Sequence, residues 1–398
     1  MHIQIDSGSY SVVYEAIHRI SGERYAVKIY DRTKFPSVEE DLAVYNEVSN
    51  LRYLERRRYA KDLFKEQQRQ QRCSSSKRSS SKRRSYDIIR LIDFFEDTSK
   101  FFLVLELCTG GDLFTKVVER HYYSEYEARY LAKRLLESIK YMHECGIAHR
   151  DLKPDNLLLA KNGNDVHVKI ADFGFSAKTR IGGMNIPLTQ RCGTPAYVAP
   201  GKIYHILLSL FTSLSLFFLT NYTHSLKIII KTEVLRGGPY DERVDMWSAG
   251  CILYFVLGGY PAFVDDKPKA LFHKILNGDY EFHEDDWCHV SNDAKSLVSG
   301  LLTLDVNKRL TASQALKHPW LCSSSNSSSR RPMNNVVAPQ HPQGLNNNMV
   351  VPLDHNNHLF NNIATNIATI NCQQRLSNVT LQQQHEERLD SGQSSSEC

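Results

Sequence analysis

Two short polar motifs, HRDLKPDN at 149–156 and DFG at 172–174, contain the residues of this chain that are best suited to chemistry. Phosphoryl transfer needs a carboxylate that accepts the proton of an attacking hydroxyl, oxygen ligands for Mg²⁺ on the nucleotide phosphates, and a cation near the transferred group. The motifs supply all three. The catalytic candidates are Asp151 for the hydroxyl and Lys153 for the transferred group, and the metal-ligand candidates are Asn156 and Asp172.

The order of these motifs, joined by the strand-like run VHVKIADF at 166–173, resembles a eukaryotic protein kinase. The resemblance implies an α+β, two-lobed protein-kinase fold over residues 1–321. A small strand-rich N-lobe should extend to about Cys108 and a larger helical C-lobe to Leu321, with ATP in the cleft. The implied activity is transfer of the γ-phosphate of ATP, with Mg²⁺, to Ser/Thr hydroxyls of protein substrates.

A kinase also needs a pair of residues that binds the ATP phosphates, and this pair is expected in the first part of the chain. Lys28 lies in the strand-like run at 24–30, as the nucleotide-anchoring lysine of the family does. Glu47 lies on the following segment, in which apolar residues recur at helical spacing. A lone lysine or glutamate is usually a solvated surface charge. The order of these two residues relative to the motifs instead favours an ion pair that holds ATP.

The glycine-rich loop of the family is incomplete in the run DSGSYSVV at 6–13. Three glycines normally let backbone amides approach the phosphates, and here only Gly8 is present, with Asp6 at the first position. The aspartate adds a negative charge near the phosphates, which should weaken ATP binding. The resemblance assigns further ATP contacts to Val13, Ala26, Glu106, Cys108, Asp112 and Leu158.

Two segments do not fit the family pattern, and the first is residues 56–85. It contains RRR, a Gln/Arg-rich run and CSSSKRSSSKRRS, with little apolar content after Phe64. Such a composition does not bury a core, so the segment is predicted to be a basic, Ser-rich disordered insertion. A solvated loop, a nuclear import signal and a basic patch switched by serine phosphorylation are the alternatives for its role.

The second foreign segment is the apolar insertion 201–232, which postpones the glutamate of the family pattern to Glu233. Its centre, 203–222, contains no Asp, Glu, Lys or Arg and has the length of a membrane span. A single span there would put the ATP site and the helix near Val244 on opposite faces of a bilayer, although both belong to one core. The first two residues can be encoded by GGTAAG, which contains a splice donor. The segment is therefore interpreted as a retained intron or gene-model error.

The kinase resemblance resumes after this insertion. Asp245 matches the aspartate that holds the backbone of the catalytic loop, and Arg309 matches the arginine that pairs with Glu233. Both should brace the site without taking part in chemistry. The resemblance also predicts a column of stacked side chains that registers the active state, formed by Leu51, Leu91, His149 and Phe173.

Several motifs are similar in sequence to those of the calcium/calmodulin-dependent kinase group. They include LELCTGGDLF, GIAHRDLKPDNLLL and LTASQALKHPW. Lys153, two residues after Asp151, and Gly193-Thr194-Pro195 resemble serine/threonine rather than tyrosine kinases. Calmodulin binding is not supported, because the Ser/Asn/Gln-rich tail, 322–398, has no basic amphipathic segment and no calcium-loop pattern. That tail is predicted to be disordered.

The composition of the chain limits its expected partners and its expected location in the cell. A formal net charge of +5 is modest and does not imply nucleic acid as a partner. Nine scattered cysteines without a Cys-x-x-Cys pair favour reduced thiols, and therefore a cytoplasmic or nuclear location. The expected partners are protein substrates, with no membrane. Two other classes stay open, namely a pseudokinase scaffold, favoured by the damaged glycine loop, and a protein anchored through 203–222.

Overall fold

The structure of the protein is a computed structural model that describes residues 3–7, 10–35, 38–72, 86–189, 239–265 and 267–322. The predictions made for Gly8, for Glu233, for the insertion 201–232 and for the tail after Cys322 lie outside these ranges.

An antiparallel sheet of five strands forms the N-terminal lobe. Its strands in chain order are β1 (Ile3–Ser7), β2 (Ser11–Ile17), β3 (Arg24–Asp31), β4 (Leu91–Glu96) and β5 (Lys100–Glu106). Their order across the sheet is β1-β2-β3-β5-β4. The central strand β3 places Lys28 opposite Val13 of β2, and Ala26 opposite Leu105 of β5. The sheet therefore holds the lysine between two neighbouring strands.

Helix α1 (Val38–Arg72) packs on this sheet through apolar residues one turn apart. Val44 and Val48 form a buried cluster with Phe101 and Leu103 of β5. Burial of an aliphatic side chain of this size contributes roughly 1.5–3 kcal/mol. The same turn of the helix carries Glu47, so the packing of its neighbours determines where its carboxylate lies.

The prediction that 56–85 is disordered is wrong for residues 56–72, because α1 continues to Arg72. The extension contains no Gly or Pro and is rich in Arg, Lys, Glu and Gln, which are strong helix formers. Within it, Lys61 contacts helix α3 (Glu125–Glu144), with its Nζ 2.7 Å from Glu144 Oε2 and 5.3 Å from the centroid of the Tyr141 ring. Just before the extension, the Leu54 carbonyl accepts a hydrogen bond of 2.6 Å from the Tyr141 hydroxyl. The remainder of the insertion, 73–85, lies outside the described residues.

The C-terminal lobe is built mainly from helices. In addition to α3 they are α2 (Leu113–Arg120), α4 (Val244–Gly258), α5 (Pro268–Asn277), α6 (Glu284–Trp287), α7 (Asn292–Leu301), α8 (Ala312–Ala315) and α9 (Pro319–Cys322). Helix α4 is buried on all sides and is the centre of this lobe. It ends at Gly259, where φ is +80° and a Cβ would lie 2.1 Å from the His121 carbonyl oxygen, so only glycine fits. Across the described ranges, no helix combines the length and apolar character that crossing a bilayer requires.

Short strands precede and follow each of the two polar motifs. They are β6 (Ile147–Ala148), β7 (Leu157–Lys161), β8 (Asn164–Ile170), β9 (Ala177–Lys178), β10 (Arg180–Ile181) and β11 (Met184–Asn185). Strand β7 pairs with β8, and β6 pairs with β9. Ile170 also exchanges backbone hydrogen bonds of 2.8 Å with Asp87 and Ile89, just before β4. The predicted α+β, two-lobed fold is confirmed.

The helical extension of α1 leads to a test with proline. Ala60 is exposed and lies inside the extension, so Ala60→Pro should destabilise that part of the helix by about 3 kcal/mol. Limited trypsin digestion should then cleave after Arg56, Arg57 and Arg58 at least tenfold faster than in the wild type. Ala60→Gln keeps the helix and serves as the control. If Ala60→Pro left the cleavage rate unchanged, residues 56–64 would be a loop.

Candidate active site

Three charged side chains from three elements meet below the sheet. Lys28 Nζ on β3 lies 2.9 Å from Asp172 Oδ1 and 3.5 Å from Glu47 Oε1 on α1. Lys28 and Glu47 are buried, whereas the Asp172 side chain remains 41% exposed. The cluster therefore has an inner, protected part and one carboxylate that faces the cleft. Asp172 has a φ of +59°, an uncommon conformation for a residue other than glycine, and such strain is often found at functional sites.

Glu47 is 1% exposed and has further hydrogen-bond partners that fix its orientation. The Tyr30 hydroxyl donates to Glu47 Oε2 at 2.8 Å, and the Phe173 amide donates to Glu47 Oε1 at 3.2 Å. The sequence analysis missed Tyr30. Side chains two residues apart on a strand share a face, so the position of Tyr30 relative to Lys28 contained the signal.

The charges of this cluster stabilise one another. Burial disfavours the Lys28 ammonium, but the attraction of Asp172 and Glu47 outweighs burial and raises the pKa of Lys28 well above its usual value. The Asp172 carboxyl is only partly buried; the effect of this burial is outweighed by the attraction of Lys28, which lowers the pKa of the carboxyl to about 2. For Glu47, burial dominates and raises the pKa above its usual value. With both carboxylates ionised, the cluster carries one net negative charge, which favours a cation.

The catalytic-loop motif is held by a buried aspartate of α4, as the sequence analysis predicted. Asp245, with no exposed surface, accepts hydrogen bonds from the backbone amides of His149 at 2.8 Å and Arg150 at 2.9 Å. Arg150 has a φ of +69° and is itself buried. Charge-assisted bonds to two consecutive amides fix this strained turn, which precedes Asp151 directly.

The next residues converge on one carboxylate. Asp151 Oδ2 lies 3.2 Å from Lys153 Nζ and 3.1 Å from Asn156 Nδ2. Asn156 Nδ2 also donates to the Asp151 carbonyl at 2.9 Å. Because both interactions use the amide nitrogen, the Asn156 amide oxygen is the atom that can bind a cation.

Several contacts join the two motifs into one unit. His149 Nε2 lies 3.0 Å from the Ala171 carbonyl, and the Ala171 amide donates to the Asn156 carbonyl at 2.9 Å. The rings of His149 and Phe173 meet edge to face, with centroids 4.8 Å apart. Of the other two residues of the predicted column, Leu51 shares a buried cluster with Phe173, and Leu91 packs against that cluster.

The positions assigned to ATP contacts come from the sheet of the N-terminal lobe, from the segment that follows β5, and from β7. Val13 and Leu158 are half-buried and Ala26 is buried. Glu106 closes β5, where its carboxylate accepts from the Arg90 amide at 2.8 Å and lies 2.7 Å from Lys169 Nζ. Cys108 is half-buried, and burial raises the pKa of its thiol to about 11, so the thiol stays protonated at neutral pH.

Asp112 has a structural role that the sequence analysis did not foresee. Its carboxylate caps helix α2, where it accepts from the Thr115 amide at 2.7 Å and from the Thr115 hydroxyl at 2.9 Å. Asp112 also forms a β-bridge with Leu158, which brings together two of the assigned positions.

Arg309 is buried, and its side chain donates to the carbonyls of Thr303 at 2.8 Å and Arg243 at 3.1 Å. The guanidinium also lies over the Trp247 ring, 5.1 Å from its centroid. These contacts place Arg309 in the frame of the C-terminal lobe. Glu233, its predicted partner, is outside the described residues.

The donor set suits Mg²⁺, which prefers carboxylate and carbonyl oxygens and usually binds through one or two protein ligands together with substrate phosphates. Asp172 and Asn156 offer such oxygens. Within the described ranges, no group of three or more His, Cys, Asp or Glu side chains forms a metal cage. Two oxygen ligands of this kind fit a cation that substrate phosphates help to hold.

Comparison with known proteins agrees with this geometry. The sequence profile of the protein kinase domain matches residues 2–207 and 230–321. Myosin light chain kinase A of Dictyostelium discoideum is 34% identical over 319 residues, which cover 80% of this chain and 86% of that protein. The serine/threonine-protein kinase H1 homolog of Danio rerio is 36% identical over 334 residues, 84% of this chain and 64% of its own length.

Calcium/calmodulin-dependent protein kinase type IV of Mus musculus is 42% identical over 236 residues, which cover 59% of this chain. The match spans only 43% of that mouse protein. The similarity to this mouse protein therefore concerns part of each chain.

Proposed function

Because the chain belongs to the protein kinase domain family, we propose that it is an ATP-dependent protein serine/threonine kinase. It transfers the γ-phosphate of ATP to Ser/Thr hydroxyls of protein substrates. The observation that carries the proposal is the meeting of Lys28, Glu47 and Asp172, since a kinase requires both the lysine–glutamate pair and the metal-binding aspartate to be in place.

In the proposed mechanism, Asp151 orients the acceptor hydroxyl and accepts its proton. Lys153, which already lies 3.2 Å from Asp151 Oδ2, provides positive charge beside the transferred group. Lys28 binds the α- and β-phosphates, and Glu47 keeps the lysine in position. These groups accelerate the reaction chiefly by positioning and by stabilising charge.

Asp172 and the Asn156 amide oxygen would hold Mg²⁺ with the phosphates of ATP. When bound there, the cation would supply positive charge to neutralise the charge that develops on the phosphates. Gly8, Val13, Ala26, Glu106, Cys108, Asp112 and Leu158 are proposed to surround the nucleotide.

Serine/threonine specificity is supported by Lys153 two residues after Asp151, and by the similarity to the serine/threonine-protein kinase H1 homolog of Danio rerio. A cytoplasmic or nuclear location is proposed from the cysteine pattern.

A pseudokinase scaffold is the second candidate, and one observation favours it. Asp6 occupies the first glycine position of the phosphate loop and lies on β1, where its carboxylate accepts from the Ser7 amide at 2.7 Å. A negative charge at this place opposes phosphate binding. Catalysis is favoured instead by the presence of all five charged and polar residues that phosphoryl transfer requires, namely Lys28, Glu47, Asp151, Asn156 and Asp172.

We also propose that residues 201–232 are translated non-coding sequence inside one kinase domain, 1–321. The family profile supports this proposal, because its match is interrupted at 208–229, within the segment. The match resumes before Glu233.

The catalytic role of Asp151 is testable by one substitution. Asp151→Asn should abolish most phosphoryl transfer, by roughly a hundredfold or more, because an amide does not accept the hydroxyl proton. Melting temperature and Mg·ATP binding should change little, since the amide keeps the size of the carboxylate. Transfer of labelled phosphate to a Ser/Thr peptide library measures the effect, with Asp155→Asn as a control in the same loop. Near-normal turnover of Asp151→Asn would remove Asp151 from the mechanism.

The role of the apolar insertion is testable by deletion. Removing 201–232 should raise soluble yield and specific activity several-fold, because a large apolar segment promotes association and because Glu233 regains a short connection to the domain. Loss of one partner from a buried ion pair costs roughly 3–5 kcal/mol, which is the penalty expected if Arg309 lacks Glu233.

Deleting 350–381 from the tail, a stretch of the same length, is the matched control and should have little effect. Equal yield and activity of the full chain and the 201–232 deletion would make that segment a genuine part of the protein.

A further inference from the structure

A buried polar network connects helix α1 to the chain just after the DFG motif. Asn46 and Asn50 lie one helical turn apart and both reach Ser176, which has no exposed surface. Asn50 is also fully buried. Glu47 lies between the two asparagines and accepts the Phe173 amide. Three side chains of one helical turn therefore contact residues 173–176.

Each polar group of this network can be assigned as a hydrogen-bond donor or acceptor. The Ser176 hydroxyl has one proton, which it donates to the Phe173 carbonyl at 2.6 Å. Its oxygen is therefore the acceptor for Asn50 Nδ2, which lies 2.9 Å away. Asn50 Nδ2 also donates to Asn46 Oδ1 at 3.2 Å, and Asn46 Nδ2 donates to the Ser176 carbonyl. Each donor has an acceptor in a single consistent arrangement.

Within this network, one buried oxygen has no hydrogen-bond partner among the described residues. Asn50 Oδ1 has no hydrogen-bond partner and no exposed surface. Such an atom loses its hydration without compensation, so the network costs stability that an apolar residue of similar size would not. The adjacent positions Val48 and Leu51 are apolar and buried, which is the pattern expected of a core-facing helix. The presence of an asparagine at position 50 is therefore better explained by its hydrogen bonds, which fix the position of α1, than by packing of the core.

We infer that Asn50 and Ser176 are positioning residues that register helix α1 against the DFG segment, so that Glu47 meets Lys28 while Asp172 is in place. Hydrogen bonds weaken steeply with distance and angle, so a shift of α1 by one or two ångströms breaks all of these contacts together. The network thus favours one discrete arrangement of α1 over its alternatives. This inference rests on the proposed kinase function and identifies what aligns the same site.

The test uses the full-length chain with Asn50→Leu, Ser176→Ala and the double variant. Each single variant should lower kcat about tenfold, and the double variant no more than the worse single one, because the two residues act through one interaction. Asn50→Leu should melt at the same temperature as the wild type or higher, since it removes an unsatisfied buried atom. A residue with a merely structural role would show the opposite, a lower melting temperature with unchanged kcat of the folded protein.

Ser138→Ala is the matched control. Ser138 is also a buried serine, and its hydroxyl oxygen accepts the Asp87 amide at 2.9 Å, away from the network. This variant should lose stability and keep its kcat. Equal kcat values for Asn50→Leu, Ser176→Ala and the wild type would overturn the inference.

Hydrogen exchange gives a readout that does not depend on activity. In Asn50→Leu and Ser176→Ala, the amides of Phe173 and Ser176 should exchange about tenfold faster than in the wild type, and in Ser138→Ala they should not. If the wild type transfers no phosphate, the proposed function fails, and the exchange rates still decide whether Asn50 positions α1. Unchanged exchange in both network variants would contradict the inference.

Discussion

The rest of the structure depends on the pair of ionic interactions that the buried Lys28 ammonium makes with Asp172 and Glu47. A buried charge is tolerated only when partners compensate for the loss of water. The three residues come from a strand, a helix and the DFG segment. The sheet, α1 and the C-terminal lobe must therefore be correctly placed at the same time for the cluster to form. In the proposed mechanism, nucleotide binding and catalysis use groups that this requirement has already brought together.

Each element around the cluster restricts one of its members. Pairing of β3 with β2 and β5 fixes Lys28, and packing of Val44 and Val48 on the sheet fixes α1. Asp245 holds the strained turn that precedes Asp151. Beyond the sheet, α1 also contacts α3 of the other lobe. The exposed ion pair of Lys61 with Glu144, in the extension, contributes little. The hydrogen bond from the Tyr141 hydroxyl to the Leu54 carbonyl, just before the extension, is buried.

The sequence predicted the parts of this arrangement that are local or that follow from motif order. Asp245 is an example, since its contacts with the catalytic loop agree with its assignment. The prediction of disorder is wrong for residues 56–72, because the helix propensity of Arg, Lys and Gln outweighs the low apolar content of this segment. The contact of Asn50 with Ser176 was not predictable, since the residues are distant in sequence and an isolated asparagine has no periodic signal. Gly8 and Glu233 lie outside the described residues, so their predicted roles stay predictions.

We propose that the Lys28 cluster is a working Mg·ATP site, and a thermal-shift titration distinguishes it from a site that binds no nucleotide. With ATP at a hundred times its dissociation constant, binding should stabilise the wild type by about 2.7 kcal/mol, with a smaller shift when Mg²⁺ is chelated. Asp172→Asn keeps Lys28 paired with Glu47 and removes the carboxylate that faces the cleft, so its shift should be the same with and without Mg²⁺. Absence of any shift in the wild type, or a full Mg²⁺-dependent shift in Asp172→Asn, would contradict the account.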